Sequence, residues 1–239
     1  MQIQIERIEH IVHENESVKT FFIRGVNDPR PGNYLMVWIP GSGQIPLSIS
    51  SFKNDLCGFT VKRVGDTTAA IHNLRVGDLI GITGPLGTSF SIRGERILLV
   101  SGGIGIAPLL YLAIEARQMG KKVYAICGFE RAEDIIFEDV LNGLLDELVI
   151  TLGERTPLDV IHKLYEKRRF DYIYSCGPEA MMKRVFDFAR SSQLGAEFSV
   201  ERIIKCGMGI CGACALPNGL RVCKEGPVFD LEDMEGVWG

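Results

Sequence analysis

Four of the chain's seven cysteines, Cys206, Cys211, Cys214 and Cys223, fall within KCGMGICGACALPNGLRVC at 205–223. The first three are spaced C-x4-C-x2-C, and the fourth follows after eight residues. This is the plant-type spacing for the ligands of a [2Fe–2S] cluster, whose last thiolate comes from further along the chain. Two irons need two thiolates each around a flat rhomb, so the chain must wrap closely around inorganic sulfides. Gly207, Gly209 and Gly212 lie between the ligands, where freedom to adopt positive φ lets backbone N–H groups approach sulfur. Four cysteines also suit a structural zinc, although zinc ribbons usually join two C-x2-C knuckles and only one is present here. Disulfides are the third reading, weakened by the odd number of cysteines and by the reducing compartment expected below. Cys57 and Cys127 read as small buried hydrophobes.

A second chemistry lies upstream. LLVSGGIGIAPLLYLAI sets Gly102, Gly103 and Gly105 between a strand and a helix, where a dinucleotide pyrophosphate meets helix N–H groups. Counted from Gly103, the third glycine of G-x-G-x-x-G is replaced by Pro108, a residue that costs nothing in a first helical turn. YSCGPEAMM ends another strand with Cys176, Gly177 and Pro178. Two such turns at the carboxyl edge of one parallel sheet converge on one crevice. The acidic segment GFERAED, after the strand KKVYAICG that comes second in the α/β run, favours NAD over NADP by repelling a 2′-phosphate, with Arg131 acting against it.

A nicotinamide exchanges a hydride, two electrons at once, whereas a [2Fe–2S] centre exchanges one. A flavin does both, so these two ends imply a flavin between them. The remaining segment offers IPLSIS at 45–50, TVKRVGDTT at 60–68 and GPLGTSF at 84–90 as places for it. Thr67 and Thr68 precede AAIHNL, a short helical stretch, so their hydroxyls and the helix N–H groups are candidates for a pyrophosphate.

The elements that must position these residues follow from pattern. Residues 2–93 alternate in short β-branched runs (IQIERI, VKTFFIRG, NYLMVWIP, GFTVKRV, DLIGITG) cut by Gly, Pro, Asn and Asp, as in a small antiparallel barrel or sandwich. From Arg96 strands alternate with helices: RILLVSGG, a helix ending at Gly120, KKVYAICG, a helical stretch near 134–145, ELVITLG, a helix capped by Thr156 and Pro157, DYIYSCG, and PEAMMKRVFDFARSS. That rhythm means a parallel sheet with helices on both faces. From about 196 the chain returns to short strands and glycine turns. We therefore expect an N-terminal antiparallel β-barrel over 1–93, an α/β nucleotide-binding domain over 94–195 and a small cysteine domain over 196–239.

Composition narrows the classes. Of 239 residues, 46% are hydrophobic and 23% charged, enough apolar material for a real core. A net charge of −4 and a pI near 5.7 leave no footprint for nucleic acid. No apolar run is long enough to span a membrane, and MQIQIERIEH is polar and alternating, so a cytoplasmic protein is expected. His10, His13, His72 and His162 are scattered and read as surface or structural residues, and Met181 and Met182 as helix core.

Taken in order, PLSIS, GDTT, GPLG, SGGIGIAP, CGPEAMM and the cysteine set followed by EGPVF resemble the electron-transfer subunits of two-subunit, NAD-linked dihydroorotate dehydrogenases, a branch of the ferredoxin–NADP reductase superfamily. The resemblance covers nearly the whole chain. It implies FAD on the first domain, NAD as co-substrate on the second and a [2Fe–2S] cluster on Cys206, Cys211, Cys214 and Cys223. It further implies a catalytic FMN-containing partner subunit acting on dihydroorotate in pyrimidine synthesis, in a heterotetramer of two copies of each. Carried over by position, Pro46, Leu47 and Ser48 would lie along the isoalloxazine, with the Ser48 hydroxyl near the reactive nitrogen, and Ile45 would be the cofactor-binding position beside the FAD pyrophosphate. Thr60, Val61 and Lys62 would contact the ribityl or diphosphate side, and Thr67 and Thr68 the phosphates. Gly102, Gly103, Gly105, Pro108, Cys176, Gly177 and Pro178 would frame the nicotinamide nucleotide. Family members often carry Arg where this chain has Ile45, which leaves Lys62 or Arg63 as candidates to supply the charge at the FAD pyrophosphate. Cousins built on the same plan serve sulfur reductases, hydrogenases and ferredoxin:NADP oxidoreductases. A zinc-stapled nucleotide-binding scaffold is the non-enzymatic alternative.

Overall fold

The computed structural model describes residues 2–239. The first half forms β1 (Gln4–Arg7), β2 (His10–His13), β3 (Val18–Ile23), β4 (Tyr34–Ile39), β5 (Gly43–Lys53), β6 (Leu56–Lys62), α1 (Asp66–His72) and β7 (Leu79–Leu86). Its strands make one antiparallel sheet in the order β1-β7-β4-β5-β6-β3-β2. The expected β unit is therefore a half-barrel, with β1 and β2 as free edges rather than partners that close it. IQIERI does not run on as one strand: Ile8 is fully buried, and its N–H is taken by the Asp78 carbonyl, which separates β1 from β2. Alternation on β3, VKTFFI, sends Phe21 and Ile23 into the half-barrel core, where Phe21 stacks on Phe59, and Val18 and Thr20 to the opposite face, where they are buried as well. The β5–β6 hairpin turns on Asn54 and Asp55, both at positive φ, the backbone a two-residue hairpin loop requires. β5 is the long strand. It pairs with β4 up to Ser48 and with β6 from Ile49, with a register irregularity between Ile49 and Ser51, so Ile45–Ser48 lie where the sheet bends.

The second half forms β8 (Arg96–Gly102), α2 (Ile106–Gln118), β9 (Lys122–Phe129), α3 (Glu138–Leu144), β10 (Glu147–Leu152), α4 (Leu158–Arg168), β11 (Tyr172–Cys176), α5 (Glu179–Ser191), β12 (Gly195–Ser199), β13 (Val228–Asp230) and α6 (Leu231–Trp238). The strand order β10-β9-β8-β11-β12-β13 reverses between β8 and β11. The two glycine turns leave these two strands side by side at their carboxyl ends, the switch point at which open α/β sheets bind ligands. All pairs are parallel except β12–β13. Helix α2 is apolar almost all round because it is covered on both sides. It packs on β8, β9 and β11 behind it and on β5 in front, and the Tyr111 hydroxyl donates to the Pro29 carbonyl of the half-barrel. Gly120 at φ +77 ends it as expected.

The C-terminal segment differs from its expected run of strands and turns. Residues 200–227 form the cysteine loop, and the chain then rejoins the second sheet through β13 and ends in α6. This helix is capped reciprocally: Asp233 N–H donates to Asp230 Oδ1, and Asp230 N–H to Asp233 Oδ2. Trp238 meets Phe198 and Phe186 edge-on. The segment GPLGTSF joins the first sheet to this region instead of facing a cavity: Thr88 N–H donates to the Gly226 carbonyl, and the Thr88 hydroxyl to the Val228 carbonyl. Thr156 caps α4 in reverse of the expectation, its hydroxyl and N–H both donating to Asp159 Oδ2.

Candidate functional site

Two cavities and the cysteine loop form a continuous series. The first cavity, about 450 Å³, lies between the bend of β5 and the carboxyl edge of the second sheet. It gathers Ile45, Pro46, Leu47, Ser48, Thr60, Lys62, Thr68 and Pro108 of the expected set, together with Tyr34, Glu201, Arg202 and Ile204, which pattern did not reveal. The second, about 730 Å³, opens over the two glycine turns and contains Gly102, Gly103, Gly177 and Pro178 with Glu130, Asp134 and Arg155. Lys62, Ile104 and Glu201 line both, so the cavities meet at these side chains. Glu201 opens onto the cleft yet is flanked by protein, and this burial raises its carboxyl above the usual range.

Several expected contacts change. Strand alternation turns Thr60 and Lys62 toward the cavity and Val61 into the core, where it is 1% exposed. The Thr60 hydroxyl is engaged beneath the cavity, bonded to Ser50 and lying 3.0 Å from Thr20, whose own hydroxyl donates to Glu14. Thr67 and Thr68 lie inside the first turn of α1 rather than before it. Thr67 donates to the Ser42 carbonyl, while Thr68 Oγ1 donates to the Gly65 carbonyl and accepts from Val64 and Gly65 N–H. Their hydroxyls are thus spent on the backbone, and what α1 turns outward is its initial N–H groups. Pro108 lies in the first cavity, not with the nicotinamide set. Cys176 is buried, and burial drives its thiol well above the ordinary value, so only its backbone belongs to the turn. Met181 lines the second cavity against Gly102, unlike the helix-core position its spacing implies; Met182 is core. His72 is buried with Nε2 on the Val61 carbonyl, and His10 and His162 pack on Phe22 and Phe188.

The glycines at the switch point are there for contact. A Cβ on Gly105 would lie 2.6 Å from the carbonyl carbon of Cys176 and 2.8 Å from Gly177 N. Gly103, at φ +54, has nothing within 4 Å of its Cβ position and opens onto the cavity.

The four cysteines are free and pair by sulfur contact: Cys206 with Cys211, and Cys214 with Cys223. A small hairpin, bridged between Ala215 and Arg221, brings Cys223 back beside Cys214, and this accounts for the eight-residue spacing. Backbone N–H groups of Met208, Cys211 and Ile210 converge on Cys206 Sγ and lower its pKa to about 6, which favours the metal-binding thiolate. Gly209 N–H donates to Cys223 Sγ at 3.1 Å. Gly207, Gly209 and Gly212 all have positive φ, as the ligand spacing requires. Arg221 locks the loop, donating to the Gly209 carbonyl at 2.6 Å and pairing with Glu225 through Nε and Nη2. Among the described residues no three His, Cys, Asp or Glu side chains converge on one metal position. Two pairs of thiols, each supplied with N–H donors, match the needs of two irons sharing sulfides better than one tetrahedral ion.

Residues 201–235 match the family model described as the iron–sulfur cluster binding domain of dihydroorotate dehydrogenase B. The chain is 41% identical over 239 residues to a probable dihydroorotate dehydrogenase B (NAD(+)) electron transfer subunit of Methanocella arvoryzae, covering 95% of this chain and 90% of that one. This chain belongs to the dihydroorotate dehydrogenase B electron transfer subunit family. A relative of the same description from Methanocaldococcus jannaschii is 38% identical over 93% of this chain and 88% of its own. The solved structure of an NADH-dependent reduced ferredoxin–NADP oxidoreductase superposes with a TM-score of 0.85 at 30% identity, covering 95% and 88% of the two chains. Phthalate dioxygenase reductase shares the fold at 21% identity and a TM-score of 0.68, over 79% of this chain and 64% of its own. No helix among the described residues is long and apolar enough to cross a membrane.

Proposed function

We propose that this chain is the electron-transfer subunit of an NAD-linked dihydroorotate dehydrogenase, relaying electrons between NAD(H), FAD and a [2Fe–2S] cluster, to or from a catalytic FMN-containing subunit in pyrimidine synthesis. The supporting observation is the unbroken series of second cavity, shared wall of Lys62, Ile104 and Glu201, first cavity, Tyr34 and the cysteine loop. FAD in the first cavity supplies the conversion between hydride and single-electron chemistry. Pro46 and Leu47 offer it an apolar wall and Ser48 a hydroxyl, while Ile104 and Ala107 close the opposite side and exclude water. Glu201, flanked by protein where the cavities meet, has its carboxyl raised above the usual glutamate range by desolvation. Functionally we divide the chain into 1–93 for FAD, 94–195 for NAD and 196–239 for the cluster. Ile210, 77% exposed, and exposed Met208 flank exposed Cys211 along the loop, an apolar stretch suited to a partner subunit. We place the assembly in the cytoplasm as a heterotetramer.

Anaerobic co-purification with an FMN barrel subunit tests this reading. Two irons per chain, bound FAD and dihydroorotate-dependent NAD reduction are expected; protein without flavin would sink it. Activity with ferredoxin and NADP in place of dihydroorotate would favour the second reading that the 30% identical structure supports.

Two substitutions probe the cavities. Lys62 lines both cavities, whereas Arg63 is exposed, so Lys62 is the cation that stands in for the arginine replaced by Ile45. A hydrogen bond to a charged group contributes about 1.5–3 kcal/mol. Lys62→Met should therefore weaken FAD binding ~10–100-fold and raise the KM for NADH, with Arg63→Met near wild type in fluorescence titration. Arg131, the residue that opposed NAD selectivity, is held by Asp134 and Glu133. Asp134→Asn should release it toward a 2′-phosphate, raising kcat/KM for NADPH several-fold relative to NADH. An unchanged coenzyme ratio would place selectivity elsewhere.

A further inference from the structure

Tyr34 opens β4 and is 2% exposed. Its main chain pairs with Ser48 on one side and Leu86 on the other, so its backbone belongs to the wall of the first cavity. Tyr34 lines that cavity, and its hydroxyl donates to the Cys223 carbonyl at 3.1 Å. The ring packs in the same cluster as Cys206, Cys214, Leu216 and Val222. Among the described residues, no other side chain lining the first cavity hydrogen-bonds to any of the four loop cysteines. Cys223 is a demanding point at which to anchor. It is buried, its N–H faces Cys214 Sγ and its own sulfur takes the Gly209 N–H. The remaining polar group of this residue, its carbonyl, is the one Tyr34 satisfies.

Hydrogen bonds around ligating cysteines set both the orientation of the ligands and the reduction potential of the metal group they hold. A donor to the Cys223 carbonyl draws electron density from the ligand's peptide and favours the reduced cluster. Resting on the relay reading above, we propose that Tyr34 is a positioning residue: its ring forms part of the flavin wall while its hydroxyl holds the Cys214–Cys223 pair against that wall, tuning the cluster and fixing its distance from the flavin. Tyr34 takes no part as a redox group. The single electron that leaves the flavin is the one the cluster gains, and the hydroxyl proton stays on the tyrosine.

The test uses the anaerobic holo-complex and a redox titration of the cluster followed by paramagnetic resonance, with iron release to a chelator as a second readout. Tyr34→Phe keeps the ring and should retain flavin and iron, lower the cluster potential by the equivalent of a three- to tenfold change in equilibrium, tenfold being about 59 mV for one electron, and speed iron release several-fold. Fluorotyrosine at position 34, a stronger donor of the same shape, should move the potential the other way and keeps the test decisive if Tyr34→Phe fails to fold. Tyr111→Phe removes a comparable buried bond, to the Pro29 carbonyl, remote from the cysteines, and should leave the potential unchanged. A potential and iron release equal to wild type in Tyr34→Phe, an equal shift in Tyr111→Phe, or a potential unmoved by fluorotyrosine would overturn the proposal. Wild-type complex without iron would instead sink the relay reading itself.

Discussion

Cys214→Ser should strip the protein of iron while leaving its nucleotide chemistry in place. Cys214 is 2% exposed, its sulfur contacts that of Cys223, and it accepts the Cys223 N–H. A serine hydroxyl at that position is a poor thiolate substitute and cannot satisfy an iron whose other ligand is the buried partner of the pair. Loss of even an outer partner of a metal ligand costs about 10–100-fold in metal affinity, so loss of the ligand itself should exceed ~100-fold. Iron should fall from about two per chain to near zero, with delivery to the catalytic subunit lost in proportion. Reduction of bound flavin by NADH should persist, because both cavities are built from residues outside the 205–223 loop. Cys127→Ser is the matched control. Cys127 lies on β9, buried in the core of the second sheet, with its thiol pushed up to about 11 by burial, so its replacement should affect stability and leave iron content intact. Iron retained in Cys214→Ser, or flavin reduction lost with it, would contradict the division of labour drawn above.

What could be read from the residues, and what could not, divides along the range of the interactions. The C-x4-C-x2-C spacing is a local constraint, since one short loop must deliver three sulfurs and the N–H groups that face them, and Gly207, Gly209 and Gly212 carry that requirement in their own types. The switch-point turns were legible for the same reason: strand, glycines and helix follow one another directly. Tyr34 was illegible because its partner is 189 residues away and only the packing of the half-barrel on the cysteine loop joins them. Glu201 and Lys62 likewise meet only once the two sheets are brought together. Val61, Thr67 and Thr68 are flavin contacts by the family resemblance, but strand alternation and the backbone demands of a short helix claim their side chains first. The final helix was within reach, because Asp230 and Asp233 stand at capping-box spacing ahead of an amphipathic turn. The open edge of the half-barrel was not, since closure depends on whether β1 and β2 find each other, and strand pattern carries no record of that.

Gly103 and Gly105, one residue apart at the switch point, should separate structure from binding. At Gly105 a methyl group has no room: backbone atoms of Cys176 and Gly177 already occupy its place, and neither end of that contact is a flexible side chain. Gly105→Ala must therefore push the β8–α2 turn away from the β11–α5 turn, at the junction that holds α2 between the two sheets. Overpacking of this kind costs about 2–3 kcal/mol, or ~5–10 °C in Tm for a chain of this size, and both cavities should deform with it. Gly103 presents the opposite case. Its methyl group would meet nothing within 4 Å, and the φ of +54 costs an L-residue only about 1 kcal/mol. Yet that open space is the floor of the second cavity, where the proposed site would bring a pyrophosphate toward the start of α2. Gly103→Ala should accordingly lose ~2–4 °C in Tm while raising the KM for NADH about tenfold or more, the effect of losing one close charged contact. FAD content should stay whole, since Gly103 does not line the first cavity. Thermal unfolding and steady-state kinetics on the two variants decide the matter: an unaltered KM in Gly103→Ala would remove the nicotinamide nucleotide from this turn, whatever Gly105→Ala does to the fold.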